Sequence, residues 1–354
     1  MIQVRFLSLT ALLAGVTLFS SCEDDPDPVF IPPNESGLVE VNGGGATYPN
    51  TAYISLRSGV QTAVPRQSWD LAFSTGSDFK VLINGTTGAM ASATGATDIN
   101  AVSAADMSAA DSLAITLSTS NLVGILHVDN AANPLSDPAI ESISATAADN
   151  QVYFLNRGAS GLDARPWKKI RIIRNGAGYT LQHANADATT FSSLDIAKNT
   201  DQNFIYVSFE NGIVDVEPDR SDWDIAWTAG TSSTPYPAAT NGTLPYFYQD
   251  LVYSNIYNST SVVQVMEADI PYTDFAETDV PALVFDSTSR LTIGSGWRSG
   301  GGPPGTPGPA VRTDRYYIIK DAEGNIYKLL FLSLTKDGER GKPSFEYELV
   351  EAGK

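Results

Sequence analysis

A tryptophan–aspartate unit that occurs twice is the feature of this sequence that most constrains its fold. Residues 68–76 read SWDLAFSTG and residues 222–230 read DWDIAWTAG. The flanks repeat as well, because AYISLRSG (residues 52–59) precedes the first copy and IYVSFENG (residues 205–212) precedes the second. Each flank has the pattern of a strand that ends in a turn glycine. The sequence therefore predicts two tandem copies of one β-module.

Both halves of the chain consist mainly of short apolar runs separated by Gly, Asn, Asp and Pro, which is the strand-and-turn pattern. Near the C-terminus, Phe345 and Tyr347 alternate with Glu346 and Glu348, as in an antiparallel strand with one buried and one wet face. Only residues 105–117, ADMSAADSLAITL, have room for a helical turn or two. We predict an all-β fold of antiparallel sheets in two tandem modules, with little helix.

The N-terminus resembles the export signal of a bacterial lipoprotein. Arg5 is the only charge before an apolar run that ends in FSSC, and acidic residues follow at once. The run is too short to span a bilayer, so residues 1–21 are predicted to be a signal peptide. Cys22, the only cysteine, is the predicted lipidation site, the alternative being a cysteine without a role in an ordinary signal. The acidic, Pro-rich residues 22–40 are then predicted to be a tether. The resemblance implies a protein that is lipid-anchored in the outer membrane and exposed at the cell surface.

Length and charge restrict the domain organisation and the partners. A chain of 354 residues usually forms more than one domain. We place module 1 at residues 41–196 and module 2 at residues 203–354, on either side of a polar segment. The net charge of -18 excludes nucleic acid as a partner, because phosphate binding depends on clustered Lys and Arg.

The order of motifs in the second half resembles the HmuY family of haem-binding lipoproteins, which are all-β and sit on the outer membrane. The motifs are YVSFENG (206–212), WDIAW (223–227), YYIIKDAEGNIYKLLFLS (316–333) and GKPSFEY (341–347). The first half matches at residues 53–59 and 69–73, with residues 153–174 as a looser counterpart of the late strands. This resemblance implies that the chain captures haem or a related tetrapyrrole for iron acquisition.

The resemblance also implies two axial ligands to haem iron, which are His–His in some members and Met–Met in others. The first half offers Met90, Met107, His127 and His183, and the second half only Met266. Met90 lies in a Gly-rich segment after the Trp-Asp strand, where the family places its first ligand. The alternative to iron ligation is, for each of these residues, burial in the apolar core. His127 lies on a predicted apolar strand. No other metal site is predicted.

Aromatic residues of the second half indicate a different function. Trp297 precedes a Gly- and Pro-rich loop, and Tyr246, Phe247 and Tyr248 are consecutive in the insertion after the second Trp-Asp unit. Such residues contact a glycan or a protein partner, or else form a satellite core or a surface loop. The alternative function is therefore a non-haem surface interaction protein.

Two further stretches have structural explanations. The residues DVEPDRSDWD (215–224) suggest calcium ligands, but without EF-hand spacing a solvated strand edge is favoured. Tryptophan and aspartate of the repeated unit are predicted to define the fold rather than to contact a ligand.

Nucleophile-elbow, phosphate-loop and zinc-ligand spacings are all missing from the sequence, so no enzyme is predicted.

Overall fold

The structure, a computed structural model, describes residues 32–300 and 308–353. Residues 33–354 form one compact unit. The signal peptide, Cys22 and most of the tether lie outside the described residues, so those predictions stay predictions. Among the described helices, none has the length and apolar character needed to cross a membrane.

Strands dominate the described part of the chain, which confirms the all-β prediction. They are β1 (Ser36–Glu40), β2 (Asn50–Ile54), β3 (Gln61–Pro65), β4 (Leu71–Ser74), β5 (Val81–Ile83), β6 (Met90–Ala93), β7 (Val152–Asn156), β8 (Lys168–Asn175), β9 (Gly178–Asn185), β10 (Ser192–Ile196), β11 (Phe204–Ser208), β12 (Gly212–Val214), β13 (Ile225–Pro235), β14 (Thr243–Ser254), β15 (Ser261–Met266), β16 (Arg315–Lys320), β17 (Ile326–Ser333) and β18 (Ser344–Glu351).

Helices are short. The α-helix α1 (Ala109–Ala114) lies in the stretch predicted to hold a helical turn, and it begins at Ser108, whose side chain forms a capping box with Asp111. The 3-10 helices are Arg66–Ser68, Gly85–Thr87, Ile99–Ala101, Ala104–Asp106, Gly124–His127, Ala147–Asp149, Arg220–Asp222, Thr240–Gly242, Ile256–Asn258 and Glu277–Ala282.

The strands form four antiparallel sheets. The first outer sheet has the order β10-β9-β8-β7-β6, and the second outer sheet has the order β1-β18-β17-β16-β15. The first inner sheet has the order β12-β11-β4-β5, and the second inner sheet has the order β14-β13-β2-β3. Each inner sheet therefore takes two strands from each half of the chain.

The repeated motifs explain this exchange of strands between the halves. Strand β4 of the first Trp-Asp unit pairs with β11, with Ala72 opposite Tyr206. Strand β13 of the second unit pairs with β2, with Ala226 opposite Tyr53. Each Trp-Asp strand thus pairs with the Tyr-Ser strand of the other half. The two halves of the chain are therefore joined through both inner sheets. The boundary between the two modules near residues 195–203 stays a prediction from the sequence repeat.

The four sheets stack as outer, inner, inner and outer layers. Phe73 and Leu181 belong to the apolar cluster between the first outer and first inner sheets. Trp227 and Tyr317 belong to the corresponding cluster of the second pair. The inner sheets are buried on both faces, which is why β4 is apolar at consecutive positions.

Each outer sheet carries a further apolar layer on its outer face. On the first outer sheet, Met90 and Phe154 pack against residues of the insertion between β6 and β7, including Ile115. On the second, Tyr316 packs with Phe275 of the insertion between β15 and β16. These two insertions are here called the first and second covers.

Candidate functional site

The two tryptophans of the repeated unit meet the two repeated tyrosines where the inner sheets face each other. The Trp69 ring lies edge-to-face on Tyr206 with centroids 4.9 Å apart, and the Trp223 ring lies in the same way on Tyr53 at 5.1 Å. Each pair joins one half of the chain to the other. Edge-to-face contacts of this kind stabilise a core beyond the area they bury, so the aromatic residues of the repeat hold the two halves together.

The two aspartates of the unit perform the same task on the backbone. Asp224 Oδ2 accepts a hydrogen bond from Leu56 N at 2.7 Å, and Asp70 Oδ2 accepts one from Phe209 N at 3.0 Å. Leu56 and Phe209 occupy the same position in the two flanking motifs. Each aspartate therefore fixes the turn after the Tyr-Ser strand of the other half, which is the fold-defining role predicted for the unit.

The surroundings of the two carboxylates differ. Asp70 accepts two hydrogen bonds of 2.8 Å from the guanidinium of Arg157, and Arg165 lies 2.9 Å away. No ion pair to Asp224 occurs among the described residues. Burial, with Asp321 nearby, raises the pKa of Asp224 to about 7.

A cavity of about 100 Å³ lies between the inner sheets. Its walls include Trp69, Trp223, Tyr53 and Tyr206, and Glu217 of the acidic stretch. The Glu217 carboxylate accepts hydrogen bonds from Tyr206 Oη at 3.1 Å and from the backbone N–H groups of Asn203 and Phe204. Burial raises the pKa of Glu217 to about 8.

The acidic stretch therefore supplies a buried structural carboxyl, whereas Asp222 in the same stretch is exposed. No group of three or more potential metal ligands occurs in residues 32–300 and 308–353. The calcium interpretation has no support in this part of the chain.

A second cavity, the cover cleft, lies between the first cover and the outer face of the first outer sheet. It has a volume of about 360 Å³ and is lined by Met107, Ile115 and Phe154, with Asp106 and Asp111 at its wall. Met90 is fully buried in the apolar cluster beside it, and Met107 packs against that same cluster from the cover. The structure thus brings Met90 and Met107 together, one on the sheet and one on the cover.

The two histidines lie in different places. His127 ends the 3-10 helix Gly124–His127, so the strand predicted for it is wrong, and its Nδ1 lies 3.1 Å from the carbonyl oxygen of Ala91 on β6. His183 lies within β9 with its ring 5.1 Å from that of Phe209. Burial, with Lys168 adding to it, lowers the pKa of His183.

Sheet geometry separates His183 from Met90. Met90 pairs with Asn156 and shares the outer face with Phe154. His183 pairs with Ile170, which belongs to the cluster between the first outer and first inner sheets. Paired residues point to the same face of a sheet. The sheet therefore stands between the two side chains, and they cannot ligate the same iron.

The aromatic candidates of the second half divide into buried and exposed residues. Trp297 is 1% exposed, stacks on Phe331 with centroids 4.3 Å apart and donates its Nε1–H to Asp250 O at 3.0 Å. Trp297 is therefore a core residue, and the prediction that it contacts a ligand is wrong. Phe247 packs against the same core as Trp297.

Tyr246 is 48% exposed, and its ring lies 5.1 Å from that of Tyr248. Their hairpin contacts the first cover, since Thr240 N donates a hydrogen bond to Leu122 O at 2.8 Å. Leu122 is one of several exposed apolar residues there, with Val123 and Leu126. The two adjacent tyrosine rings form an exposed aromatic surface, here called the tip patch.

Sequence reasoning missed the polar residues of the central cavity. Asn84 and Asn255 are equivalent, because each donates its Nδ2–H to the carbonyl of its tryptophan. By this equivalence Ser254 stands where the first half has Ile83. Counted from the tryptophans, Glu217 stands where the first half has Ala63. Aligning the two halves with each other would have revealed these differences.

Comparison with known proteins identifies relatives. The family described as HmuY protein matches residues 47–164 and 200–347, which together exceed half of the chain. A search of curated proteins finds no match. Among solved structures, the crystal structure of the apo HmuY analog of Tannerella forsythia aligns with 92% of this chain and 100% of its own, at 13% identity and a TM-score of 0.23.

Proposed function

The chain belongs to the HmuY family, and on that premise we propose that it is a lipid-anchored surface protein that captures haem or a related tetrapyrrole for iron acquisition. The family is one of binding proteins rather than enzymes, which supports capture rather than catalysis. We place the ligand in the cover cleft.

One observation carries this placement. Met107 lines a cleft of about 360 Å³, and Met90 lies in the apolar cluster that Met107 packs against. A volume of this order lies within the range of small-molecule sites, roughly 300–1,000 Å³. Met107 would supply one thioether to haem iron from the cover, and Met90, fully buried in the adjoining cluster rather than in the wall of the cleft, would supply the second once that cluster opens.

Other groups near the cleft set the orientation of the ligand. His127 lies beside β6 with one ring nitrogen near Ala91 O, so it is the alternative partner for Met90. His183 is not, because it lies on the other face of the sheet. Asp106 and Asp111 at the cleft wall would repel the propionate carboxylates of a bound haem.

Titration with haemin under oxidising and reducing conditions tests the proposal. We expect a sharp Soret change in the wild type and its loss in Met107→Leu, which keeps the side-chain volume but removes the sulfur. Met266→Leu, in the second outer sheet, is the matched control and should bind as the wild type does. Thioether is a soft ligand, so binding should tighten on reduction. A wild type without a Soret change in either state would remove haem from the proposal.

The membrane anchor has a separate test. Lipidated Cys22 should carry the protein into the detergent phase, and Cys22→Ala should release it as a soluble or unprocessed form. Unchanged membrane association of the variant would contradict lipidation.

The tip patch favours a second candidate function, recognition of a glycan or protein. Tyr246 and Tyr248 present two adjacent rings, with Tyr246 48% exposed, and exposed apolar surface of this kind marks interaction sites. Binding of soluble oligosaccharides by calorimetry, lost in Tyr246→Ala with Tyr248→Ala, would support it. A double variant that binds like the wild type would exclude the patch.

A further inference from the structure

The cavity between the two inner sheets contains polar groups without partners. Trp223 Nε1, Thr231 Oγ1 and Ser254 Oγ are buried, and none of the three makes a hydrogen bond to the described part of the chain. All three residues line the cavity and are 6%, 6% and 3% exposed. Because a buried polar group without a partner costs free energy, such groups indicate an occupant that bonds to them.

The cavity adjoins an opening to the surface. A cleft of about 450 Å³, here called the entry cleft, shares Val128, Asp129 and Thr231 with the cavity. Its walls come from the first cover and from the β13–β14 hairpin. The two spaces therefore adjoin at Val128, Asp129 and Thr231.

The unpartnered groups define which atom the occupant must present. The indole N–H of Trp223 is a donor only, whereas the hydroxyls of Thr231 and Ser254 donate or accept. An oxygen acceptor satisfies the indole N–H. Ser254 is opposite Ile225, which belongs to the cluster of the second inner and second outer sheets, and Thr231 lies six residues further along β13, so neither hydroxyl reaches the same atom. The surrounding rings of Trp69 and Tyr253 offer flat apolar surface for the rest of the molecule.

Charges around the cavity favour a neutral occupant. Glu217 and Asp129 already accept hydrogen bonds from the protein, Asp129 from Ile83 N and Ala139 N, both at 2.9 Å. Arg290, whose guanidinium lies 4.0 Å from the ring centroid of Tyr253, also lines the cavity. Groups of both signs therefore border the cavity, and a charged molecule would lose its hydration on entering it. A neutral molecule avoids that cost.

We propose that the cavity and the entry cleft form a binding site for a small neutral molecule with a flat apolar body and a hydroxyl or carbonyl oxygen. The oxygen accepts the Trp223 Nε1–H inside the cavity, and the body lies between the rings and extends past Thr231. The inner volume of about 100 Å³ is below the roughly 150 Å³ of a cavity that holds benzene, so part of the body remains in the entry cleft. The site is independent of the cover cleft, which lies beyond the first outer sheet.

The test uses the full chain, with phenol as the probe and benzene as the same ring without the oxygen. The indole N–H signals in a ¹H–¹⁵N spectrum report binding, and Trp223→Phe assigns the signal of Trp223. We expect phenol to shift that signal saturably. Benzene should bind about tenfold more weakly, which corresponds to about 1.4 kcal/mol for the lost hydrogen bond.

Two variants separate the site from general ring binding. Trp223→Phe removes the indole N–H and should weaken phenol binding measured by calorimetry, whereas Tyr246→Ala, on the tip patch, should leave it unchanged. A Trp223 signal that phenol does not move means that the cavity holds water only and overturns the proposal. Equal affinity for phenol and benzene, or unchanged phenol binding in Trp223→Phe, overturns it too. Neither outcome depends on haem binding at the cover cleft.

Discussion

Asp70→Asn should destabilise the protein far more than Asp224→Asn, although the two aspartates occupy equivalent positions of the repeat. Asp70 is 1% exposed and binds the Arg157 guanidinium through both oxygens at 2.8 Å, with Arg165 at 2.9 Å. Removing one partner of a buried ion pair costs about 3–5 kcal/mol. Glu210 also accepts from Arg157 at 2.7 Å, so the cost should fall near the lower end of that range.

Asp224 should respond differently because it is not paired with a guanidinium in the described chain and accepts from Leu56 N instead. Burial raises its pKa to about 7, so in the folded protein the carboxyl is protonated at mildly acidic pH. Asparagine resembles that neutral carboxyl and keeps the acceptor oxygen. The cost of Asp224→Asn at about pH 6 should therefore be below about 1 kcal/mol, the value of a typical hydrogen bond.

The raised pKa of Asp224 sets the direction in which the free energy of unfolding changes with pH. A carboxyl whose folded pKa lies above its unfolded pKa binds more protons when folded, so its contribution to stability is lost as pH rises towards the folded pKa. Each unit of pKa difference corresponds to about 1.4 kcal/mol. Raising the pH from about 4 to about 8 should thus destabilise the wild type through this group, and Asp224→Asn should remove that part of the loss.

Equilibrium urea unfolding, followed by tryptophan fluorescence at about pH 6 and about pH 8.5, measures these quantities. Asp222→Asn is the control, since Asp222 is exposed beside Trp223, and it should change the free energy of unfolding little. Equal costs of Asp70→Asn and Asp224→Asn at the lower pH would refute the reasoning. A difference in the free energy of unfolding between Asp224→Asn and the wild type that does not change with pH would also refute it.

Three further predictions follow from the packing. Glu217→Gln should flatten the loss of stability between about pH 5 and pH 8 in urea unfolding, because burial raises the pKa of Glu217 to about 8 and a raised carboxyl pKa removes stability as pH increases. Trp297→Ala should lower the free energy of unfolding by about 3–5 kcal/mol, whereas Tyr246→Ala should leave it nearly unchanged; similar costs would contradict the burial difference. Residues 203–354 expressed alone lack β2 and β4, so the edges of β13 and β11 are exposed. This fragment should self-associate in sedimentation experiments unless residues 22–196 are co-expressed. A monomeric fragment with a cooperative melt would show that the exchange of strands between the halves is dispensable.

Much of the fold was readable from local patterns. The alternation of Phe345 and Tyr347 with Glu346 and Glu348 is a property of one strand, and the structure buries the two aromatic residues as expected. The helical turn at Ala109–Ala114 depends on a capping box within six residues, so it too was visible in the sequence. The repeat and the family resemblance were confirmed because both rest on the order of motifs along the chain.

The candidate site depended on contacts between distant residues. Met90 and His183 were both candidates in the sequence, with Met90 favoured, and only the register of β6, β7, β8 and β9 placed them on opposite faces of one sheet. Trp297 stands beside a Gly-rich loop and looked accessible, but its ring stacks on Phe331, a contact that no local pattern encodes.

The sequence by itself determined that the chain is all-β, that it contains one motif twice and which family it belongs to, because these follow from residue order and from the period of two in strands. Only the tertiary structure decided that each Trp-Asp strand pairs with the other half, and that a polar cavity lies between the inner sheets. The physical reason is that strand pairing is satisfied by any partner with a matching apolar face. Two copies of the same motif offer two such partners, and the choice between them rests on long-range contacts such as Asp70 with Phe209 and Asp224 with Leu56.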